Sequence, residues 1–375
     1  MKRLLSLLLV LVLVTTVVVG CTKPADDNKG ETNTPVEKPE DNNDKNDDTA
    51  EAGEIVKLGL GQNMSIASSK DAEDDKNATG QANVTMAAVG FDKDGKVVSV
   101  TIDTVQPKVE VDKDGKIASD INEEVKTKKV LKDEYGMKDV SAKIGIGKEW
   151  YEQMEAFEEW MIGKTADEIK NLKVKERDES HKNVPDVEEL TSSVTITVES
   201  YIAAVVEAWE NAVEVENATK VGLGSMTTVA KSKDAADDEP ATVQADTTMS
   251  ATAFDKDGKV AGTIVDVAQI KIEIKDGKIA SDVAAELKTK HELKDEYGMK
   301  DVSAKIGIGK EWYEQMNAFQ DWMKGKTVDE ITGLKVKERD ESHKSVPDVE
   351  ELTSSVTITV ESYQEVVKRA SELAK

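Results

Sequence analysis

Most of the side chains in this chain that suggest chemistry are hydroxyls. The stretch Glu189-Leu190-Thr191-Ser192-Ser193-Val194-Thr195 places an acid and several hydroxyls together, and the same letters recur at Glu351-Leu352-Thr353-Ser354-Ser355-Val356-Thr357. A hydroxyl is a weak nucleophile until a base or a partner enzyme activates it. Of the three histidines, only His181 and His343 hold matching places, both inside the charged loop DESHK. No Ser-His-Asp triad and no histidine-based metal site follows from such spacing. Read as a polymer, LTSSVTITV at 190–198 and again at 352–360 is an amphipathic strand. Val194, Ile196 and Val198 point one way, and Thr195 and Thr197 lie on the solvated side.

Other candidates have plainer readings. Ile144-Gly145-Ile146-Gly147-Lys148 precedes a helix and offers backbone N–H groups to a phosphate. It lacks the spacing of a nucleotide-hydrolysing loop, so it reads as a glycine-rich connector. Asp92-Lys93-Asp94-Gly95 suggests a calcium loop, but Thr101 stands where that loop needs its glutamate, and a hairpin turn explains the residues better. Asp186, Glu188 and Glu189 read as solvated surface in a chain that is 33% charged.

The elements that must position these residues come in two copies. LKDEYGMKDVSAKIGIGKEWYEQM at 131–154 recurs unchanged at 293–316, and VKERDESHK recurs as well. Two homologous tandem domains follow, 53–214 and 215–375, each long enough to close its own core. Within each copy, alternating strands are broken by turns at Asp94-Gly95 and Asp114-Gly115, matched by Asp257-Gly258 and Asp276-Gly277. A helix follows on which Trp150, Met154, Phe157 and Met161 form one apolar stripe. Thr165 to Glu168 and Thr327 to Glu330 match capping boxes. The late strand and a closing helix, ESYIAAVVEAWENAVEVE, complete the copy. The fold class is α+β, an antiparallel-rich sheet with packed helices.

The N-terminus addresses location. Lys2 and Arg3 precede an apolar run from Leu4 to Val19, then Gly20 and Cys21. This is a signal peptide over 1–20, and the run is short of the roughly 20 residues a spanning helix needs. Val18-Val19-Gly20-Cys21 resembles the bacterial lipobox, which implies lipidation of Cys21 and cleavage before it. Cys21 is the only cysteine, so disulfides and thiolate clusters are excluded. Residues 21–52 carry that cysteine and a disordered acidic tether. The net charge of −25 with no basic stripe argues against nucleic acid as a partner. Membrane attachment rests on the lipid, and the expected location is the outer face of the bacterial cytoplasmic membrane.

The hydroxyl motif adds a resemblance. Glu189 through Thr195 resembles the flavinylation motif of FMN-binding domains, in which a flavin transferase splits FAD and leaves FMN on a threonine as a phosphoester. The resemblance implies attachment at Thr195 and Thr357, with Glu189, Ser192, Ser193, Glu351, Ser354 and Ser355 completing the motif. Lipobox, tether and tandem domains together are similar to the flavinylated surface lipoproteins of Gram-positive extracellular electron transfer. That family implies a redox carrier rather than an enzyme, supplied by a membrane quinol-linked donor and discharging to acceptors such as ferric iron. Trp150, Tyr151, Trp160, Trp312, Tyr313 and Trp322 are candidates to stack on the flavin, although a helix that needs an apolar face claims most of them. The alternative is a non-redox surface lipoprotein whose duplicated domains recognise a peptide, glycan or protein partner.

Overall fold

A computed structural model describes residues 53–375. The signal peptide, Cys21 and the tether lie outside the described residues. Among the described residues no helix is long and apolar enough to cross a membrane.

The described chain is a mixed α/β structure with two four-stranded antiparallel sheets. The first contains β1 (Ile55–Ser65), β2 (Asn83–Phe91), β3 (Val97–Val105) and β4 (Val213–Ala218), in the order β3-β2-β1-β4. The second contains β5 (Lys220–Thr228), β6 (Ala241–Phe254), β7 (Val260–Lys275) and the short β8 (Lys278–Ile279), in the order β8-β7-β6-β5. Each hairpin turns where an Asp-Gly pair places glycine in the left-handed region, as at Gly95 (φ 77°) and Gly258 (φ 76°).

Side chains alternate along each strand, and here both faces are buried. On β2, Val84, Met86 and Ala88 enter one apolar cluster while Ala87, Val89 and Phe91 enter another. The first of these clusters also contains Val221, Leu223, Met249 and Ala251 of the second copy. The two sheets therefore share one core, and the expectation that each copy closes its own is corrected. Sheet faces that leave apolar side chains on both sides need a cover on both sides. Here the helices supply one cover and the other sheet supplies the second.

Reciprocal contacts tie the copies together. Ala72 N–H donates to Gly277 O at 2.7 Å and Ala235 N–H to Gly115 O at 2.8 Å. Ile279 N–H donates to Asp71 and Ile117 N–H to Asp234, each at 2.8 Å. The boundary near 214 falls inside β4, which pairs with β1 (Leu58↔Val213), so the tail of the presumed closing helix is a strand.

The outer faces carry the helices. In the first copy these are α1 (Trp150–Met161) and α2 (Glu199–Glu210), and in the second α3 (Trp312–Met323) and α4 (Glu361–Leu373). The stripe on α1 is buried as its spacing predicts, with Trp150, Met154, Phe157 and Met161 at most 1% exposed. Both capping boxes, Thr165 with Glu168 and Thr327 with Glu330, are present. The helices α2 and α4 sit directly on the strands because glycine faces them. A Cβ placed at Gly61 would lie 2.0 Å from Ala204 O, and one at Gly224 would lie 1.8 Å from Val366 O.

The copies differ in one informative place. Strands β6 and β7 run unbroken, whereas their first-copy counterparts break into Ala78–Gln81 with β2 and β3 with Lys108–Val111. Pro107 stands where β7 has Ile270 opposite Ala245, and proline has no N–H to give the ladder.

Candidate functional site

The motif that reads as a strand is not one. Glu188–Thr191 is a short helix, Ser192 and Ser193 form a turn, and 194–198 is an unpaired irregular segment, bent at Ile196, that leads into α2. Its alternation survives: Val194 and Val198 are fully buried and Ile196 nearly so, in the cluster beneath α1 and α2. An irregular segment clamped onto a core can bury alternate side chains as a strand does, so the pattern alone cannot tell them apart. No strand pairs with it; the Val194 and Val198 N–H groups donate to the backbone carbonyls of Leu190 and Asn183 at 2.8 and 3.0 Å, and side chains from elsewhere take up the backbone groups of Thr195.

The clamp at Thr195 comes from α1 and from the charged loop. Gln153 is fully buried on the core face of α1, and its Oε1 accepts both the Thr195 N–H (3.0 Å) and the Thr195 hydroxyl (3.3 Å). Its Nε2 donates to Lys148 O at 3.3 Å, at the end of the glycine-rich connector. A buried amide must spend its donors and acceptors, and this one joins helix, connector and motif. From the other side Arg177 Nη1 donates to Thr195 O at 2.6 Å. The second copy repeats this frame: Gln315 Oε1 accepts from Thr357 N at 2.9 Å and Oγ1 at 3.1 Å, and Arg339 donates to Thr357 O at 2.8 Å.

Arg177 is held in turn by Asp178 (2.9 Å), which also meets His181 Nδ1 at 2.6 Å. Hydrogen bonds from His181 and Arg177 hold the Asp178 carboxyl down at about 2. The DESHK loop is thus a brace for the arginine. His343 and Asp340 repeat it at 2.6 Å.

The expectation that Thr195 and Thr197 face water is corrected. Thr195 is half-buried on Gln153, and the Oγ1 atoms of Thr197 and Thr359 are buried with no hydrogen-bond partner among the described residues. Other motif residues are not gathered at the threonine. Glu189, Ser192, Glu351 and Ser354 are exposed, while Ser193 and Ser355 each donate to the leucine carbonyl three residues back, at 3.3 Å. Asp186 bridges Lys173 and Lys175 at 3.3 and 2.9 Å.

Trp150 and Trp312 are core residues whose Nε1 atoms donate to Tyr201 and Tyr363 at 3.0 and 3.1 Å. This removes them as stacking platforms. Trp160 and Trp322 stack on Phe157 and Phe319, and Tyr151 and Tyr313 are half-buried. Ahead of α1, Gly145 (φ 94°) and Gly147 (φ 58°) adopt left-handed backbone, and a Cβ at Gly145 would meet open space. Among the described residues no group of acids, histidines and cysteines is placed to hold a metal ion.

Gln153 and Arg177 are the residues that sequence reasoning missed. The signal was available, since both lie inside the blocks repeated without change, WYEQM and VKERDESHK. No family model, no curated protein and no solved structure matches the chain.

Proposed function

We propose that the chain is a lipid-anchored extracellular electron carrier with FMN joined through a phosphoester to Thr195 and to Thr357, its two copies being homologous domains fused through a common core. The observation that carries this reading is the frame of one buried glutamine and one arginine, repeated around both threonines. A sequence under no constraint at these positions has no reason to fix the same hydroxyl twice.

The residues present fit such a group. The buried, unpartnered hydroxyls of Thr197 and Thr359 stand two residues from each attachment point. An orphaned buried hydroxyl costs free energy unless a bound group or water satisfies it. The open glycine connector joins the same frame through Lys148 O.

In this account Gln153 fixes the rotamer of Thr195 by accepting its hydroxyl proton, which leaves the oxygen lone pairs free to face a transferase. Arg177 fixes the backbone by holding the Thr195 carbonyl. FMN, when bound, supplies the one- and two-electron chemistry, and the chain supplies position and retention. A covalent tether also suits a protein outside the cell, where a dissociating cofactor is lost by dilution. The carrier would receive electrons from a quinol-linked donor in the membrane that holds Cys21.

The test is intact mass and visible absorbance of the chain made with an active flavin transferase in the export pathway. Two FMN adducts are expected, one lost in Thr195→Ala, the other in Thr357→Ala, and both in the double variant. An unmodified mass from wild type overturns the reading.

A further inference from the structure

The two copies carry equivalent recesses between a sheet and its first long helix, and they have been finished differently. In the first copy the recess lies between β3 and α1, and ion pairs narrow it to about 430 Å³. Buried Glu158 on α1 holds Lys129 at 2.6 Å and Lys375 at 2.8 Å. Lys375 is locked there by its backbone, paired with Val221 at 3.2 Å in both directions, and its carbonyl accepts from Ser99 Oγ at 3.2 Å.

In the second copy every member of that plug is replaced. Gln320 stands for Glu158, His291 for Lys129 and Val213 for Lys375, and Asn317 replaces Glu155, which lines the first-copy recess beside them. The glutamine keeps one duty of the glutamate, since Gln320 Oε1 accepts Val265 N–H at 2.6 Å just as Glu158 accepts Ile102 N–H at 2.6 Å. The ion pairs are gone. In their place is a cleft of about 690 Å³ lined from both copies. That volume lies within the range of small-molecule sites, roughly 300–1,000 Å³.

Apart from the exposed Glu214 and Lys294, the charges around the cleft are engaged elsewhere. Lys324 pairs with Asp321 at 2.8 Å, and the Glu292 carboxylate accepts the Thr289 N–H at 2.7 Å. Asp266 accepts N–H groups from Val267 and His291 at 2.7 and 3.1 Å. What remains to offer a ligand is mostly neutral. Gln62, Asn317 and Gln320 carry more donors and acceptors than their internal bonds use. His291 Nδ1 is buried with no hydrogen-bond partner among the described residues. Burial also holds the His291 imidazole below its usual range, which keeps it neutral. Leu60, Val215 and Ile264 give the same cleft an apolar lining.

We propose that this cleft binds a neutral, hydroxyl-rich small molecule of sugar size, held by the amides of Gln62, Asn317 and Gln320 and by His291 Nδ1. Neutral amides and an unprotonated imidazole satisfy hydroxyls in both directions, while apolar side chains cover the C–H faces between them. The unpaired charges of the lining, Glu214 and Lys294, are exposed to water, so a charged ligand held at the buried amides gains little from them and is desolvated with little compensation.

The experiment follows the His291 side-chain resonances of the full chain by NMR, which a chain with three histidines allows. The probes are N-acetylglucosamine, glucosamine and glucuronate, which share a ring and differ in charge. N-acetylglucosamine is expected to shift His291 saturably and leave His181 and His343 in place, with the charged sugars weaker by roughly tenfold or more. Val213→Lys combined with Gln320→Glu rebuilds the first-copy plug and is expected to abolish the shift. Asn317→Ala, at an exposed position on α3, weakens binding without threatening the fold. The inference is overturned if no probe moves His291, if the charged sugars bind as well, or if these variants bind like wild type.

Discussion

Gly61→Ala tests the shared core. The added Cβ would lie 2.0 Å from Ala204 O, about 1.4 Å short of ordinary contact at 3.4 Å. Neither neighbour can yield by a rotamer change, because one is a strand in mid-sheet and the other is helix backbone. Helix α2 must therefore retreat from β1, which costs about 3 kcal/mol by overpacking and lost contact. For a cooperative unit of this size, that corresponds to a fall in Tm of roughly 4 to 5 °C. The decisive point is which transition moves. Because β1 and β2 bury one face against β5 and β6 of the other copy, calorimetry should show one transition displaced as a whole. Gly224→Ala, made from the other side, should displace that same transition by a similar amount. Two separable transitions, with only the mutated copy's moving, would refute the common core and restore independent domains.

Other perturbations address the site and its surroundings. Gln153→Leu leaves the Thr195 N–H and hydroxyl without their acceptor, so it should cost about 1 to 3 kcal/mol in denaturant unfolding and lower FMN occupancy at Thr195 alone, read by peptide mass. Burial raises the carboxyls of Asp103 to about 6 and of Asp266 to about 7, and burial with the nearby charges of Glu292 and Asp266 raises Glu207 to about 7. These groups hold protons more tightly folded than unfolded, so their contribution is fully present below the unfolded pKa near 4 and is lost as pH rises through 6 to 7. Tm should accordingly fall between about pH 4 and pH 7, and Asp266→Asn with Glu207→Gln should flatten that slope. Lys129→Ala leaves Glu158 with Lys375 as its remaining cation and should destabilise the chain by about 2 kcal/mol or more in urea.

The sequence disclosed elements more readily than relationships. The helix α1 and both capping boxes were legible because their signals are local: a 3.6-residue stripe and a threonine three residues before a glutamate. The Asp-Gly turns were legible for the same reason. The Thr195 segment was misread because apolar alternation reports which side chains are buried, not whether a neighbouring strand exists. The common core escaped because β2 reads the same whether a helix or a second sheet covers its even-numbered side chains. Gln153 escaped because a polar residue near an apolar stripe reads as solvent-facing until its partner, 42 residues away, is folded against it.

The layering has a consequence for how such a carrier would work. Thr195 lies between Val194 and Ile196 of the cluster on the outer side of the first sheet, and Thr357 between Val356 and Ile358 of the one on the outer side of the second, with the joint core between the two clusters. With about 10 Å between packed sheets and a helix layer about 10 Å thick on each flank, the two positions stand roughly 30 Å apart. Traffic between them would have to cross the whole thickness of the molecule. Two flavins held there would serve as separate terminals mounted back to back, each meeting its own clientele, so that duplication widens the molecule's reach rather than building a wire through it.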